Sequence, residues 1–309
     1  MINHVKQLVL WIVTLSLVIS LSFVSQPGRA DRVENHTHFN REISVHDKLK
    51  IVKFGGWSVY DRPFNFRAKA VLNTNRLRGR LVKPVKKVTA GSRTDYLIAY
   101  RGRTYGWVDT RCLAKTDRYV LPYQYYSQLY PLWAPEACEA TSLKIALSAK
   151  GLASDVGLKY IVDHMPESSD ANRGFSGDPY RDNSGLFYWW NLIKHGFNGI
   201  AAQTIYPKPL ARYARRYDPN ARNITGATRT KLISEVEHGN PVVFVGAFQM
   251  IDTNRSYHIL TLVGYRPGEF LVADPYRYLG QRHQVFWVRT GRFMKIFDNQ
   301  LRGRRAVAL

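Results

Sequence analysis

Cys138, His258 and Asp274 are the residues of this 309-residue chain whose types and order could do covalent chemistry. A thiolate attacks a carbonyl carbon, an imidazole takes and returns a proton, and a carboxylate holds the imidazole in one tautomer. Cys138 stands directly ahead of an amphipathic run that ends at Gly151. That pattern predicts a helix over 137–150 with the cysteine at its start, where the helix dipole and free N–H groups favour a thiolate. His258 opens the apolar tract 257–265, and Asp274 follows the tract 269–273, with Arg266-Pro-Gly268 between them as a hairpin turn. The N–H of Cys138 and the side-chain amide of Gln128 are the candidate oxyanion donors, with Gln124 a nearby competitor.

Hairpin register decides whether His258 and Asp274 can meet. With a two-residue Pro267-Gly268 loop, an unbroken ladder puts them on opposite faces. A longer loop or a single bulge puts them diagonally on one face. The triad therefore requires one of those irregularities. Each residue also has a plainer role open to it. Cys138 could be an inert buried thiol or half a disulfide with Cys112, His258 a core histidine, and Asp274-Pro275 a turn. Taken together, the three favour chemistry. His164, His195, His238 and His283 lie in surface-like contexts and read as non-catalytic. Two cysteines make no metal framework, and the lone His36-Thr-His38 spacing sits in a polar stretch, so no cofactor or metal is expected.

The surrounding chain must export, hold and position these groups. Residues 1–30 carry Lys6, a continuous apolar or hydroxylic run over 8–24, and Gly28-Arg-Ala30. They read as a signal peptide or an uncleaved N-terminal membrane anchor, which puts the body outside the cytoplasm. Residues 31–47 read as a linker. Residues 48–117 show short alternating tracts separated by turns and no helical period, the pattern of a small closed barrel. Residues 118–309 place a helix first and an antiparallel sheet second, an α+β plan. Helices are expected at 160–164, 186–194 and 228–238, and a buried strand at 241–248. Tyr180, Tyr188, Trp189 and Trp190 could line a cleft or belong to the core.

The net charge is +22, from 45 Lys+Arg against 23 Asp+Glu, so anionic polymers are the expected partners. Nucleic acid finds no recognition module here, and export argues against it. Membrane contact is expected only through residues 8–24, if they are retained.

Two tracts carry family resemblances. Ser58 to Pro63 and, more specifically, Thr94 to Leu113 around Gly106-Trp107 resemble a GW module, a bacterial SH3-like wall-binding domain. The resemblance implies binding to lipoteichoic acid or sulfated glycan, with Lys83, Lys86, Lys87, Arg93, Arg101, Arg103 and Arg111 supplying charge; Trp107 itself reads as core. A single copy implies weak, salt-sensitive binding. Residues 120–300 resemble the papain-like peptidases related to the double-glycine leader peptidases of bacteriocin exporters, in the exported, transporter-free branch. The matching tracts include 128–151, 168–180, 239–248 and 257–276. The family's cysteine falls on Cys138, its histidine on His258, its acid on Asp274 and its oxyanion glutamine on Gln128. Many relatives follow the cysteine with Gly-Pro. Glu139-Ala140 stands here instead, placing a carboxylate that raises a thiol's pKa. The resemblance implies a papain-like catalytic domain behind an SH3-like barrel and a surface peptidase acting on peptide or wall-peptide bonds. A peptidoglycan amidase or endopeptidase, and an inactive wall-binding adhesion protein, are its rivals.

Overall fold

The structure, a computed structural model, describes residues 42–64, 67–182, 189–190, 193–194, 203–251, 257–299 and 302–309. The leader expected at 1–30 lies outside them, as do His36, His38, Tyr188 and His195. No helix among the described residues is long and apolar enough to cross a membrane.

The N-terminal domain is built mainly of strands, with single 3-10 turns at Thr74–Leu77 and Thr110–Cys112. Its strands are β1 (Ile43–Ser44), β2 (Lys50–Val52), β3 (Ser58–Tyr60), β4 (Ala70–Asn73), β5 (Leu81–Ala90), β6 (Arg93–Tyr100), β7 (Arg103–Asp109) and β8 (Leu113–Ala114). They pair in the order β4-β3-β7-β6-β5-β2-β8, with β1 on β5. The expected linker therefore contributes a strand, since Ile43 and Ser44 pair with Lys87 and Lys86. Val52, Val59, Val82, Ile98, Val108 and Cys112 fill the small core. Trp107 is buried, in keeping with its core reading.

The C-terminal half is a mixed helix and sheet domain. Strands β9 (Tyr119–Val120), β10 (Arg222–Asn223), β11 (Val242–Gly246), β12 (His258–Arg266), β13 (Glu269–Ala273), β14 (Val285–Arg289) and β15 (Ala306–Ala308) form one antiparallel sheet. Helices α1 (Cys138–Ala149), α2 (Leu158–Asp163) and α3 (Pro207–Ala214) precede its central strands; α4 (Arg229–Glu237) and α5 (Thr290–Phe297) also pack on it. Side-chain alternation divides the core in two. Val243, Val245 and Ile259 face Leu143, Leu147, Ile161 and Leu210 of α1 to α3. Val242, Phe244, Leu260 and Phe270 face Leu232, Val236, Phe293 and Phe297 of α4 and α5.

Helix α1 is more deeply set than an amphipathic pattern predicts, because every residue from Cys138 to Ala149 is buried. Its polar members are satisfied internally, as burial demands. Ser142 Oγ donates to Ile259 O at 3.0 Å and Thr261 Oγ1 donates to Ser142 O at 2.9 Å. Lys144 Nζ donates to Ala153 O and Val156 O, both at 2.6 Å. The first pair ties α1 to the strand that begins with His258.

The two halves dock. Leu49 joins the core of the second domain, its N–H donates to Glu237 O at 2.7 Å, and Lys48 pairs with Glu237 at 2.7 Å. Gly151, which ends α1 at φ +71°, lies so close to the β6–β7 turn that a Cβ there would fall 2.0 Å from Arg101 O. The C-terminal end of the cysteine helix thus abuts the all-β domain.

Candidate active site

His258 and Asp274 meet. Their side chains are buried, and His258 Nε2 lies 2.7 Å from Asp274 Oδ1. The register explains this. Arg266 pairs with Glu269 across the two-residue loop, but Leu262 pairs with Val272 and Gly264 with Leu271, so Val263 is a bulge. Below the bulge the ladder runs Thr261 with Ala273, and His258 extrapolates to Tyr276, with Asp274 its diagonal neighbour on one face. The irregularity that the hairpin required is present.

Asp274 is held from several sides. Its Oδ2 accepts the Gln249 N–H at 2.8 Å and its Oδ1 the Tyr276 N–H at 2.9 Å. Burial alone would raise this carboxyl. The charge of His258 and these three hydrogen bonds outweigh it and hold Asp274 below the ordinary carboxylate range. With Nε2 engaged by the acid, Nδ1 is the ring nitrogen left for the thiol. Phe248 stacks on the imidazole at 4.1 Å between ring centroids and 17° between planes, and Tyr276 meets it edge-on at 6.1 Å. Sequence reasoning did not single out Phe248, since only the fold brings the end of the β11 tract over a histidine ten residues later.

Cys138 opens α1 as expected, but the surroundings of its thiol differ from expectation. Sγ donates to Glu139 Oε2 at 3.3 Å, and the Ile259 N–H also bears on it. Among the described residues no hydrogen bond links Sγ to His258. Burial first, then the Glu139 charge, push the thiol well above its ordinary value, against the smaller pull of the Ile259 amide. Magnitudes explain why the helix start does not prevail. Two like charges 3.3 Å apart repel by about 5 kcal/mol at an effective dielectric near 20. A helix N-terminus contributes roughly 0.3–1 kcal/mol, about 2 at best. Burial and the neighbouring carboxylate thus both oppose the thiolate that a helix start alone favours.

Glu139 is itself fully buried, and burial pushes its pKa up against its hydrogen bonds. Its Oε1 accepts from Thr204 Oγ1 at 2.5 Å and from the Ile205 N–H at 3.2 Å.

Gln128 is buried beside the acid. Its N–H donates to Pro275 O at 3.0 Å, and Nε2 donates to Pro135 O at 2.5 Å in the loop leading to Cys138. Gln124 is exposed, and its N–H donates to Ser148 Oγ near the far end of α1, roughly 15 Å along the helix from Cys138. The competitor is thereby removed from the site. Both cysteines are free thiols, and they sit in separate cores, so the disulfide alternative fails. Burial and then Asp109 raise Cys112 to about 12. Tyr180 packs against the α1 core, whereas Trp189 and Trp190 are exposed. Among the described residues no cluster could hold a metal ion.

Residues 120–295 match the Peptidase_C39 like family, and the chain belongs to that family. Residues 41–114 match the GW (Gly-Tryp) dipeptide domain, so a GW domain precedes the peptidase-family domain. The match begins near β1, in line with the strand found where a linker was expected. A solved structure described as a C39-like peptidase from Bacillus anthracis aligns at 21% identity with a TM-score of 0.48, covering 62% of this chain and 97% of that one. No curated protein matches.

Proposed function

We propose that this chain is an exported bacterial cell-surface cysteine peptidase that hydrolyses peptide or amide bonds, with Cys138 as nucleophile and His258 as base and acid. Asp274 orients the imidazole, and the Cys138 N–H and Gln128 Nε2 are the oxyanion donors. The observation that carries the reading is the buried His258–Asp274 pair at the start of the strand to which the Cys138 helix is tied. In this mechanism the thiol passes its proton to His258 Nδ1 as sulfur attacks the carbonyl carbon. The imidazolium then protonates the leaving amine, and water, deprotonated by the same histidine, releases the acyl group from sulfur. Membership of a peptidase family supports this assignment of roles.

The leader supports export, and an SH3-like GW barrel would hold the enzyme near anionic wall polymers such as lipoteichoic acid or sulfated glycan. Of the seven bases considered for that contact, Lys86, Arg93 and Arg111 already pair with carboxylates. That leaves Lys83, Lys87, Arg101 and Arg103 as the better candidates.

The bond between Cys138 and Glu139 favours one second reading, a wall-binding protein whose papain-like domain does no chemistry. An activated peptide ester separates the two. The enzyme forms an acyl adduct on Cys138, detectable by mass spectrometry and absent in Cys138→Ala. A domain without chemistry forms none.

A further inference from the structure

The residue after the nucleophile is a carboxylate set in a built cradle rather than on a solvated face. Its two oxygens do different things. Oε1 is anchored by Thr204 Oγ1 and the Ile205 N–H, on the segment leading into α3. Oε2 is left facing Sγ of Cys138 at 3.3 Å. A buried carboxylate that accepts from three donors keeps its charge best when each donor keeps its proton. The proton on sulfur is one of those three.

We infer that Glu139 is a positioning residue for the nucleophile: its carboxylate holds the Cys138 thiol protonated and turned to itself, so the resting site is latent until the thiol is released to His258. This rests on the reading of Cys138 as nucleophile and adds a regulation to it. Release breaks the Sγ–H···Oε2 bond, and the proton then leaves sulfur for the imidazole; no oxidant or co-reactant is needed.

The groups that face the pair come from every neighbouring element. Glu136 precedes α1 and adds a second negative charge near the thiol. From β12 and the residue before it come His258 and Tyr257, and Tyr257 lies beside Thr204, Glu139 and Arg305. Asp274 stands behind the histidine. The acids nearest the sulfur are thus Glu139 and Glu136, and Glu139 is the one that makes contact. Cys138 lies in the core with little of its surface open to solvent.

The test is the rate of iodoacetamide alkylation at Cys138 against pH, read by peptide mapping on the full chain, in the wild type, Glu139→Gln, Glu139→Asp and His258→Ala. The wild type should alkylate slowly at neutral pH and accelerate only in the alkaline range. Glu139→Gln keeps the shape and removes the charge, so its profile should move down by about one pH unit or more, a tenfold gain in rate at neutral pH. Glu139→Asp should keep a wild-type-like profile. Cys112, buried in the other domain, reports on folding because a loosened protein alkylates there too. A wild-type thiol already fast at neutral pH would overturn the inference without any variant. So would a Glu139→Gln profile unchanged from wild type, or an equal shift in Glu139→Asp. The shift should persist in Glu139→Gln/His258→Ala. If it does while Cys138 never acylates, the restraint stands and the peptidase reading fails.

Discussion

Asp274 is a buried carboxylate held by three donors, and in the proposed mechanism it also orients the base. It fixes His258 through Nε2 and gathers two backbone N–H groups from the loop over the imidazole and the turn beyond β13. Asp274→Asn should reduce Cys138-dependent hydrolysis by about 10²–10⁴, because the amide no longer selects the tautomer with Nδ1 free. Its pKa is depressed in the fold. Its stabilising contribution is therefore full above the unfolded value near 3.9 and is lost as pH falls through the lower folded value. Urea midpoints measured from about pH 2 to 7 should fall more steeply with acid for wild type than for Asp274→Asn; parallel curves would contradict this. Cys138, His258 and Asp274 stand out in the sequence by their types and contexts, and the fold brings His258 and Asp274 together. The state of the thiol was legible only in part. Glu139 announces a carboxylate beside Cys138, but the anchoring of that carboxylate by Thr204 and Ile205, some 65 residues away, is a property of the fold.

Elements position these side chains through two devices. The first is the Val263 bulge, which turns an otherwise mismatched hairpin into one whose histidine and acid share a face. A hairpin that must bring His258 and Asp274 to one face leaves few registers, so parity alone calls for a longer loop or a bulge, and the bulge is the one present. The second is the Ser142–Ile259–Thr261 tie between α1 and β12. Ser142→Ala leaves the buried Ile259 carbonyl without that donor and should cost about 1 kcal/mol in chemical denaturation. It should also slow acylation of Cys138, because the helix then meets the strand less firmly; unchanged stability would contradict the tie. Long elements with a clear period, α1, α4, β11 and the β12–β13 hairpin, were legible. Strands β4 and β15, of four and three residues, carry no readable alternation. Helix α3 carries a start signal of its own, since Pro207 stands at its first turn, where a missing N–H costs nothing. The helix expected at 186–194 lies largely outside the described residues.

At the scale of the whole molecule, the GW domain is docked rather than tethered, and it touches the far end of the helix that presents Cys138. Glycine marks the contact on both sides. A Cβ on Gly102 would fall 2.7 Å from Lys150 O, and one on Gly151 would fall 2.0 Å from Arg101 O. Gly151→Ala adds a strained positive φ to that clash and should destabilise the protein by about 2 kcal/mol or more. Gly291→Ala, in α5 with nothing within 4 Å, should be neutral or mildly stabilising. Equal thermal shifts for the two would contradict the docking. The sequence shows a change from a strand-only pattern to a mixed pattern, whereas the contact between the halves has no such sign. It depends on Leu49 entering a core whose members run from Tyr119 to Ala308, and neither composition nor period encodes such a partner.

The central claim is hydrolysis through Cys138 and His258. Incubation of the full chain with a degenerate peptide library and with purified peptidoglycan, reading new termini by mass spectrometry, tests it most directly. Products should appear with the wild type, vanish with Cys138→Ala and fall by about 10²–10⁴ with His258→Ala. Products that are identical in wild type and Cys138→Ala, or absent from both, would contradict it.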